Sequence, residues 1–241
     1  MDDVGASNLL PASLFKCTLG VHIVIIMTES QDADANSVDK SDQSDGRNTS
    51  ADAETDIRHA VILDHLPHGR ADNNRPRHQR DPLAYGLGER DFRLYELTLD
   101  ADADIDISIG DRVVVGPTEA RELVDEFRQI SYADLSNTAQ NEVEYAVEDI
   151  IKTNERRFVD FYNDAQPITL RLHQLNLLPG IGKKLRNNIL DQRKRGPFES
   201  FDEIEERVAG LHHPSSVLKD RILEELHEDD LKYNVFVAPS E

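Results

Sequence analysis

Residues that could crosslink the chain or bind soft metals are almost absent from this sequence. It has one cysteine, Cys17, and no tryptophan, and aromatic residues make up 6% of its 241 positions. One cysteine excludes an intramolecular disulfide framework and a metal cluster held by several thiolates, and it indicates a reducing compartment. The scarcity of aromatic residues predicts small cores built mainly from leucine, isoleucine and valine.

The sequence also lacks an apolar run long enough to cross a membrane. Residues 19–27 are apolar but too short to span a bilayer. The acidic start Met1-Asp2-Asp3 is unlike a signal peptide, which begins with positive charge. Since Met27 opens a more natural beginning, we expect residues 1–26 to be an over-extended gene start. We expect a cytoplasmic protein with no membrane partner.

Positive charge is scarce as well. Aspartate and glutamate number 47 against 27 lysine and arginine residues, which gives a net charge of −20. An excess of solvated carboxylates keeps a protein soluble when salt screens its other interactions. The composition is therefore typical of a halophilic archaeal protein, with an ordinary acidic cytosolic protein as the alternative.

Residues 1–57 are predicted to be a disordered acidic tail. The stretch 28–58 consists mostly of Asp, Ser, Asn, Gln and Ala, with almost nothing to bury. Such a segment cannot recover the entropy lost on ordering. Two roles are open for it: a solvating tail, or an autoinhibitory tail that covers a basic site.

Residues 58–117 are predicted to form a small β domain. The run Ala60-Val61-Ile62-Leu63 has the continuous apolar character of a buried strand, and Phe92–Leu99 alternates between apolar and polar residues. A turn and a further strand are expected over Ile109–Gly116. Several short strands in about 60 residues are typical of a small barrel, and we expect an OB-like one. With the helices that follow, the predicted fold class is α+β.

Helical spacing begins after residue 117. Residues 118–165 are predicted to be connecting helices, one over Glu119–Ile130 and another over Asn137–Lys152. Three aromatic residues continue the apolar stripe and are expected in the core rather than on a base-stacking surface: Phe158, Phe161 and Tyr162.

A second, all-helical domain is predicted over residues 166–228. It is expected to begin with a helix at Ile168–Leu178. The stretch Tyr233–Val237 is rich in β-branched and aromatic residues, so residues 229–241 are predicted to form a strand that returns to the β domain.

The segment Leu178-Pro179-Gly180-Ile181-Gly182 suits a phosphate group. Gly180 and Gly182 can take positive φ and expose their backbone N–H groups, and without a Cβ both allow a phosphate to approach closely. Ile181 is expected to point back and anchor the hairpin. The helix that follows presents unpaired N–H groups with partial positive charge. Three side chains add formal charge beside them: Lys183, Lys184 and Arg186.

This hairpin lies in a basic island within an acidic chain. Between Ile168 and Phe198 there are seven basic residues and one acid, a local charge of +6. A plain turn between two helices is the alternative for a lone Gly-x-Gly. With its flanking leucines and isoleucines, however, the segment Leu172–Arg193 resembles the helix-hairpin-helix family. Members of that family bind the sugar-phosphate backbone of DNA, and sometimes RNA, without reading sequence.

A second hairpin is expected after the first. The linker Arg195–Ile204 resembles the one between paired helix-hairpin-helix units, with Ser200 as a helix cap and Glu203 three residues on. The second hairpin would lie at Ala209–Ser215, before a helix at Ser216–Leu226. In place of the second glycine and the lysines it has other residues: His212, His213 and Pro214. We therefore expect it to support the fold and to bind phosphate weakly or not at all.

Two clusters in the β half are candidate sites. Four potential zinc ligands lie close in sequence without a helix or paired spacing to organise them: Asp64, His65, His68 and His78. No metal and no cofactor is therefore expected. Three arginines in the loop that follows are candidate nucleic-acid contacts, since arginine forks phosphate well: Arg75, Arg77 and Arg80. The alternative for these arginines, and for Arg70, is a solvated loop paired with the chain's own acids.

The wider pattern resembles one archaeal family. Residues 60–69, the arginine- and proline-rich loop, the strand Gly88–Leu99 and the hairpin Leu178–Gly182 are together similar to the family catalogued as domain of unknown function 655. The resemblance covers about residues 58–239. It implies an OB-like barrel joined to helix-hairpin-helix units, nucleotide or RNA binding, and no enzymatic activity. The family's gene neighbourhoods imply ribosomal or transcription machinery as partners.

The sequence therefore predicts a non-enzymatic protein that grips the sugar-phosphate backbone of RNA or DNA. Phe92 or Tyr95 could stack on a base, although both suit a core equally well. A protein-interaction module with degenerate hairpins is the first alternative. A metal-dependent nuclease or repair enzyme, with Asp104 and Asp106 as carboxylates, is the second.

Overall fold

Five β-strands and five α-helices follow one another in the computed structural model, which describes residues 57–70, 76, 80–101, 106–228 and 230–238. The strands are β1 (Arg58–Leu66), β2 (Leu83–Gly88), β3 (Leu94–Leu99), β4 (Arg112–Gly116) and β5 (Val124–Ile130). The helices are α1 (Asn137–Thr153), α2 (Glu155–Asp164), α3 (Lys183–Arg193), α4 (Phe201–Arg207) and α5 (Pro214–His227). The predicted α+β class is confirmed. The predicted tail, apart from Ile57, lies outside the described residues.

The strands form one antiparallel sheet in the order β4-β1-β2-β3-β5. Ala60 of β1 pairs with Gly88 on one side and with Val113 on the other. The sheet is curled, so the edge strands β4 and β5 also approach each other. Arg121 reinforces this closure, because its Nε donates to the carbonyl oxygen of Val115 at 2.9 Å. The finer assignment to an OB-like barrel stays a prediction.

Both faces of β1 are buried, which explains its continuous apolar run. Ala60 and Ile62 lie in a cluster inside the curl, with residues of β3, β4 and β5. Val61 and Leu63 point to the other face and join the larger core that the helices share. An alternating strand at a surface would need polar residues at every second position, and β1 has none in this stretch.

The predicted helix over Glu119–Ile130 is wrong, because this segment contributes β5 to the sheet. Leu123, Phe127 and Ile130 do have helical spacing. However, pairing with β3 supplies backbone hydrogen bonds and a cross-strand ion pair between Glu96 and Arg128 at 2.7 Å. Local spacing does not reveal such a partner. The helical half therefore begins at α1, not at residue 118.

Helix α1 is the element that covers the sheet, and its predicted position is confirmed. Ser136 caps it by accepting the N–H of Ala139 at 3.1 Å. The Ser136 hydroxyl in turn donates to the Asp64 carboxylate on β1 at 2.5 Å. The buried residues of α1 recur at helical spacing: Ala139, Val143, Ala146, Val147, Ile150 and Ile151.

Helix α2 joins the sheet to the rest of the helical half. Its aromatic residues Phe158, Phe161 and Tyr162 are buried, as predicted. Arg157 donates to the carbonyl oxygens of residues 89 and 90 and lies over the rings of Phe92 and Phe158. Burial lowers the pKa of this guanidinium.

Within the described ranges, every helix falls short of the length or apolar character that a membrane span requires.

The predicted helix at Ile168–Leu178 is mostly absent. Only Gln174–Leu177 is helical, as one 3-10 turn, and a loop before it is closed by a β-bridge between Pro167 and His173. The Thr169 hydroxyl accepts the N–H groups of the two residues that follow Leu170. A side chain that takes backbone N–H groups in this way competes with helix formation.

The predicted C-terminal strand is also wrong. The N–H groups of Val235, Phe236 and Val237 donate to the carboxylate of Glu225 at 2.8–2.9 Å, so they are not available to a sheet. The segment does return to the β half, because the N–H of Ala238 donates to the carbonyl oxygen of residue 91 at 2.9 Å. Phe236 packs against Phe161 in the core, with ring centroids 5.0 Å apart.

Candidate nucleic-acid interface

The segment Leu178–Gly182 forms a tight, anchored turn. Gly180 has φ of +77°, a conformation that favours glycine. Ile181 is buried, and its N–H donates to the carbonyl oxygen of Leu178 at 3.2 Å. Gly182 has φ of −78° and ψ of 178°, which any residue can adopt, so the expectation of positive φ holds for Gly180 alone. An ideal Cβ on Gly180 or Gly182 would meet no atom within 4 Å.

Asn176 and Arg186 brace this turn from behind. The Asn176 Nδ2 donates to the carbonyl oxygen of Ile181 at 2.9 Å, and its Oδ1 accepts from Arg186 Nη1 at 3.0 Å. Arg186 also donates to Asn187 Oδ1 through Nε and Nη2. Three nitrogens of Arg186 thus help to hold the hairpin and α3 together, and its contact with phosphate stays a prediction.

The first turn of α3 is open and positively charged. Gly182 is its N-cap and has no side chain to accept the first N–H groups. No acidic residue lies in this turn, and the side chains of Lys183 and Lys184 are exposed. Backbone donors, the helix dipole and two ammonium groups are thus brought together beside two glycines without side chains.

The other bases of the island have mainly structural partners. Arg193 donates through Nη1 to three carbonyl oxygens at the end of α2: those of Tyr162, Asn163 and Ala165. Burial lowers the pKa of Arg193. Lys194 pairs with Asp191 at 2.9 Å, and Arg195 donates to Gln192. The exposed basic side chains of the island are Arg171, Lys183, Lys184, Lys194 and Arg195, and of these Lys194 is paired with the acid Asp191.

The linker after α3 has the predicted cap at Ser200, although Glu203 does not complete the capping box, since it accepts the N–H of the residue before the cap. Ser200 caps α4 by accepting the N–H of Glu203 at 3.2 Å. The Glu203 carboxylate accepts the N–H of Glu199, and this hydrogen bond, with that from Arg207, lowers its pKa. Asn163 on α2 holds Phe198 through both of its backbone polar groups, at 2.8 and 2.9 Å.

The second hairpin, Val208–Leu211, has the backbone of the first but a different surface. Gly210 has φ of +91°, and the N–H of Leu211 donates to the carbonyl oxygen of Val208 at 3.1 Å. Helix α5 then begins at Pro214, two residues earlier than predicted. The carboxylate of Glu205 lies at this terminus and accepts the N–H of His213 at 3.3 Å.

Of the candidate arginines of the β half, the structure describes Arg70 and Arg80, and both have partners within the chain. Arg80 donates through Nη1 to the carbonyl oxygen of Arg70 at 3.0 Å, and Arg70 forms an ion pair with Glu96 at 2.5 Å. For Arg70, the alternative of pairing with the chain's own acids is therefore correct. Arg75 and Arg77 lie outside the described residues.

The proposed stacking residues of the β half belong to the core. Phe92 is fully buried, and Tyr95 is buried with its hydroxyl donating to Asp91 Oδ2 at 2.8 Å. Burial and the neighbouring Asp91 carboxylate raise the pKa of Tyr95 well above its usual value. Tyr95 also packs edge-on against Phe127, so neither ring is available to a base.

No group of three His, Cys, Asp or Glu side chains in the described part of the chain is arranged to hold a metal ion. Asp64 accepts from Ser136, as noted above. Burial lowers the pKa of the neighbouring His65, against the opposing effect of Asp64. His78, one of the four potential zinc ligands, and Asp104, one of the two carboxylates of the nuclease alternative, lie outside the described residues.

Sequence reasoning missed two residues that contact the hairpins. Asn176 braces the first hairpin, and Glu205 covers the second. Neither belongs to a glycine or lysine pattern. Glu205 lies three residues before Val208, a position that in the first unit holds the apolar Leu175. A comparison of the two units at equal offsets could have found this difference.

Comparisons with known proteins place this architecture in a family. A family model described as "Protein of unknown function (DUF655)" matches residues 56–238. The chain belongs to this family. The match includes the sheet, the helices and both hairpins, and so the resemblance noted in the sequence is confirmed.

Two archaeal relatives of the family align with most of the chain. The uncharacterized protein MJ0038 of Methanocaldococcus jannaschii is 38% identical over 180 residues, which is 74% of this chain and 79% of that protein. The crystal structure of Af1531 from Archaeoglobus fulgidus is 41% identical, with a TM-score of 0.67, and the match covers 75% of this chain and 99% of Af1531. Af1531 therefore shares the fold of this chain.

Proposed function

We propose that this chain binds nucleic acid through the sugar-phosphate backbone, without catalysing a reaction, and that Leu178–Gly182 with α3 is a helix-hairpin-helix motif. The observation that carries the proposal is the open first turn of α3. Its uncapped N–H groups lie beside the exposed Lys183 and Lys184, and the space at Gly180 and Gly182 is free for a ligand.

A phosphate oxygen fits this arrangement chemically. Helix N-terminal N–H groups donate to anions, and the aligned peptide dipoles add roughly half a positive charge at that end. Lys183 and Lys184 supply compact charges that need no fixed geometry. Contacts of this kind recognise the backbone common to all nucleic acids and carry no base specificity. RNA and DNA are therefore both candidate ligands.

The net charge of −20 is compatible with this site, because charge acts locally in salt. At physiological ionic strength the Debye length is about 8 Å, so distant carboxylates have little effect on a phosphate at the hairpin. Affinity that depends on lysines falls steeply as salt rises, since it comes largely from counterion release. Backbone N–H donors depend less on salt, which suits a halophilic protein.

The curled sheet is the second element of the proposal. We assign it as an OB-like barrel, a fold that commonly binds single strands, and we keep Arg75, Arg77 and Arg80 as its proposed phosphate contacts. A cytoplasmic protein of the ribosomal or transcription machinery would bind in this way.

Fluorescence anisotropy with labelled single-stranded RNA and DNA across a salt series tests the hairpin. The double variant Lys183→Ala/Lys184→Ala should weaken binding and lower the slope of log K against log salt by about 1.4, or 0.7 per lost phosphate contact. Lys152→Ala is the matched control, because this exposed lysine lies on α1. If the control weakens binding as much as the double variant, the hairpin is not the site.

A protein-interaction module is the second candidate function, and one observation favours it. The side chain of Leu170 is fully exposed at the tip of the loop between Pro167 and His173. Loops of this kind commonly carry contacts to partners. Crosslinking in the native cell, followed by sequencing and mass spectrometry, separates the two functions: recovered RNA or DNA supports the first, and protein partners alone support the second.

A further inference from the structure

We infer that the carboxylate of Glu205 excludes nucleic-acid phosphate from the second hairpin, so that the chain grips the backbone at the first hairpin only. This inference rests on the proposed function, since it concerns the second hairpin, Val208–Leu211, which corresponds to the proposed site. In it, the carboxylate of Glu205 occupies the position that a phosphate would take.

The two hairpins share the backbone of their turns, Leu178–Ile181 and Val208–Leu211. Each has a glycine at positive φ, +77° at Gly180 and +91° at Gly210. Each is closed by a hydrogen bond between residues three apart, at 3.2 Å in the first and 3.1 Å in the second. Each points a buried aliphatic side chain inward, Ile181 or Leu211. The backbones part at the helix start, where α3 has the extended Gly182 as its N-cap and α5 has His213 at φ of +50°.

The donors at the two helix termini are where the hairpins differ. At equal offset from the glycine, His213 stands where the first hairpin has Lys183. The His213 N–H donates to Glu205 Oε2 at 3.3 Å, and the Nδ1 of His212 lies 3.4 Å from Glu205 Oε1. The next residue, Pro214, has no N–H at all. The carboxylate thus takes the donor that a phosphate would need.

Glu205 lies on α4, the helix that directly precedes the second hairpin. Its side chain is 36% exposed. A ligand phosphate would have to displace this carboxylate or lie beside it, and like charges at that separation repel. The first hairpin has no such obstacle, since the buried, apolar Leu175 holds the equivalent position.

The experiment compares Glu205→Ala with Glu206→Ala in the full chain. Glu206 is the exposed neighbour on the same helix, so its variant removes the same charge without touching the hairpin. The probe is a single-stranded oligonucleotide of about 12 nucleotides. Glu205→Ala should raise affinity about three- to tenfold over Glu206→Ala, as expected on removing one like charge beside a bound phosphate. Glu205→Gln, which keeps an acceptor but loses the charge, should give a smaller gain.

Backbone amide chemical shifts, followed by NMR in the same titration, report on each hairpin separately. The amide of Lys183 should shift in every protein, and the amide of His213 should shift only when Glu205 is replaced. An affinity equal in the two alanine variants, or a His213 amide in Glu205→Ala that stays where it is, overturns the inference. A static Lys183 amide in the unmodified chain instead contradicts the proposed function, and the His213 amide still reports on Glu205.

Discussion

The side-chain amide of Asn176 donates a hydrogen bond to the carbonyl oxygen of Ile181 at 2.9 Å. Through this bond a residue of the 3-10 turn sets the position of a residue in the hairpin. The acceptor end of the same amide receives Arg186 from α3. One neutral side chain therefore fixes the hairpin relative to the helix whose N-terminus is the proposed phosphate site.

Asn176→Ala should weaken nucleic-acid binding without changing its salt dependence. The substitution removes no charge, so the slope of log K against log salt should match that of the unmodified chain. The loss of the brace should lower affinity about five- to tenfold and the free energy of unfolding by about 1 kcal/mol. Anisotropy titrations and urea unfolding measure the two effects. The exposed Asn141 on α1 offers a control, and equal losses in Asn141→Ala would contradict the bracing role.

The two hairpin glycines should respond differently to alanine. Gly180→Ala places a side chain at φ of +77° and should cost about 1–2 kcal/mol of unfolding free energy. At Gly182 two effects of alanine oppose each other. Alanine is a poorer N-cap than glycine, which lowers the free energy of unfolding, but it also lowers the entropy of the unfolded chain, which raises it. The net change should stay within about 0.5 kcal/mol. Gly182→Ala should nevertheless weaken binding, since its Cβ enters the open space beside the N–H groups. Thermal unfolding and anisotropy separate these effects, and a Gly182→Ala variant that binds normally would argue against close phosphate approach.

Glu225→Ala should release the C-terminal segment. The buried carboxylate accepts three backbone N–H groups and pairs with Arg221 at 2.7 Å. Removing it leaves the guanidinium of Arg221 buried without this partner, which should lower the free energy of unfolding by about 3–5 kcal/mol. Urea unfolding measures the loss. Glu224→Ala removes the exposed partner of Arg221 and should cost less than about 1 kcal/mol, and similar costs in the two variants would refute the clamp.

His173 should make the chain less stable in mild acid. Burial, followed by the nearby Arg193 and Arg186, lowers its pKa below the ordinary value of 6.5. The unfolded chain therefore binds the proton more readily, and stability falls as the pH drops below about 6.5. The neutral ring also accepts the N–H of Leu175 at 3.2 Å.

His173→Asn keeps an acceptor for that N–H and does not titrate, so it is the matched comparison for this effect. Urea unfolding at a series of pH values should show the unmodified chain losing stability relative to the variant between about pH 6.5 and 5. The lowered pKa of His65 acts in the same direction in both proteins and cancels in the comparison. Parallel pH profiles would show that His173 does not carry the effect.

The elements that could be predicted are those whose signal lies within a few neighbouring residues. Strand β1 has its continuous apolar run, and α1 has its helical stripe behind the capping Ser136. Gly180 lies at the positive φ expected for it. The predictions for three segments were wrong because a distant or competing partner determines their structure. Strand β5 forms by pairing with β3, the Thr169 hydroxyl takes backbone N–H groups from a helix, and the Glu225 carboxylate takes those of the C-terminal segment.

By itself, the sequence determined the α+β class, the family and the position of the hairpin, because turn chemistry and apolar periodicity are local properties of the chain. The tertiary structure alone decided how the charged and amide side chains are used. It determines that Arg186 donates to Asn176 and that Arg80 donates to the carbonyl oxygen of Arg70. It also places the Glu205 carboxylate at the second hairpin, where it accepts the N–H of His213. A long polar side chain can reach partners in any direction, so its role follows from which atoms the fold brings within hydrogen-bonding distance.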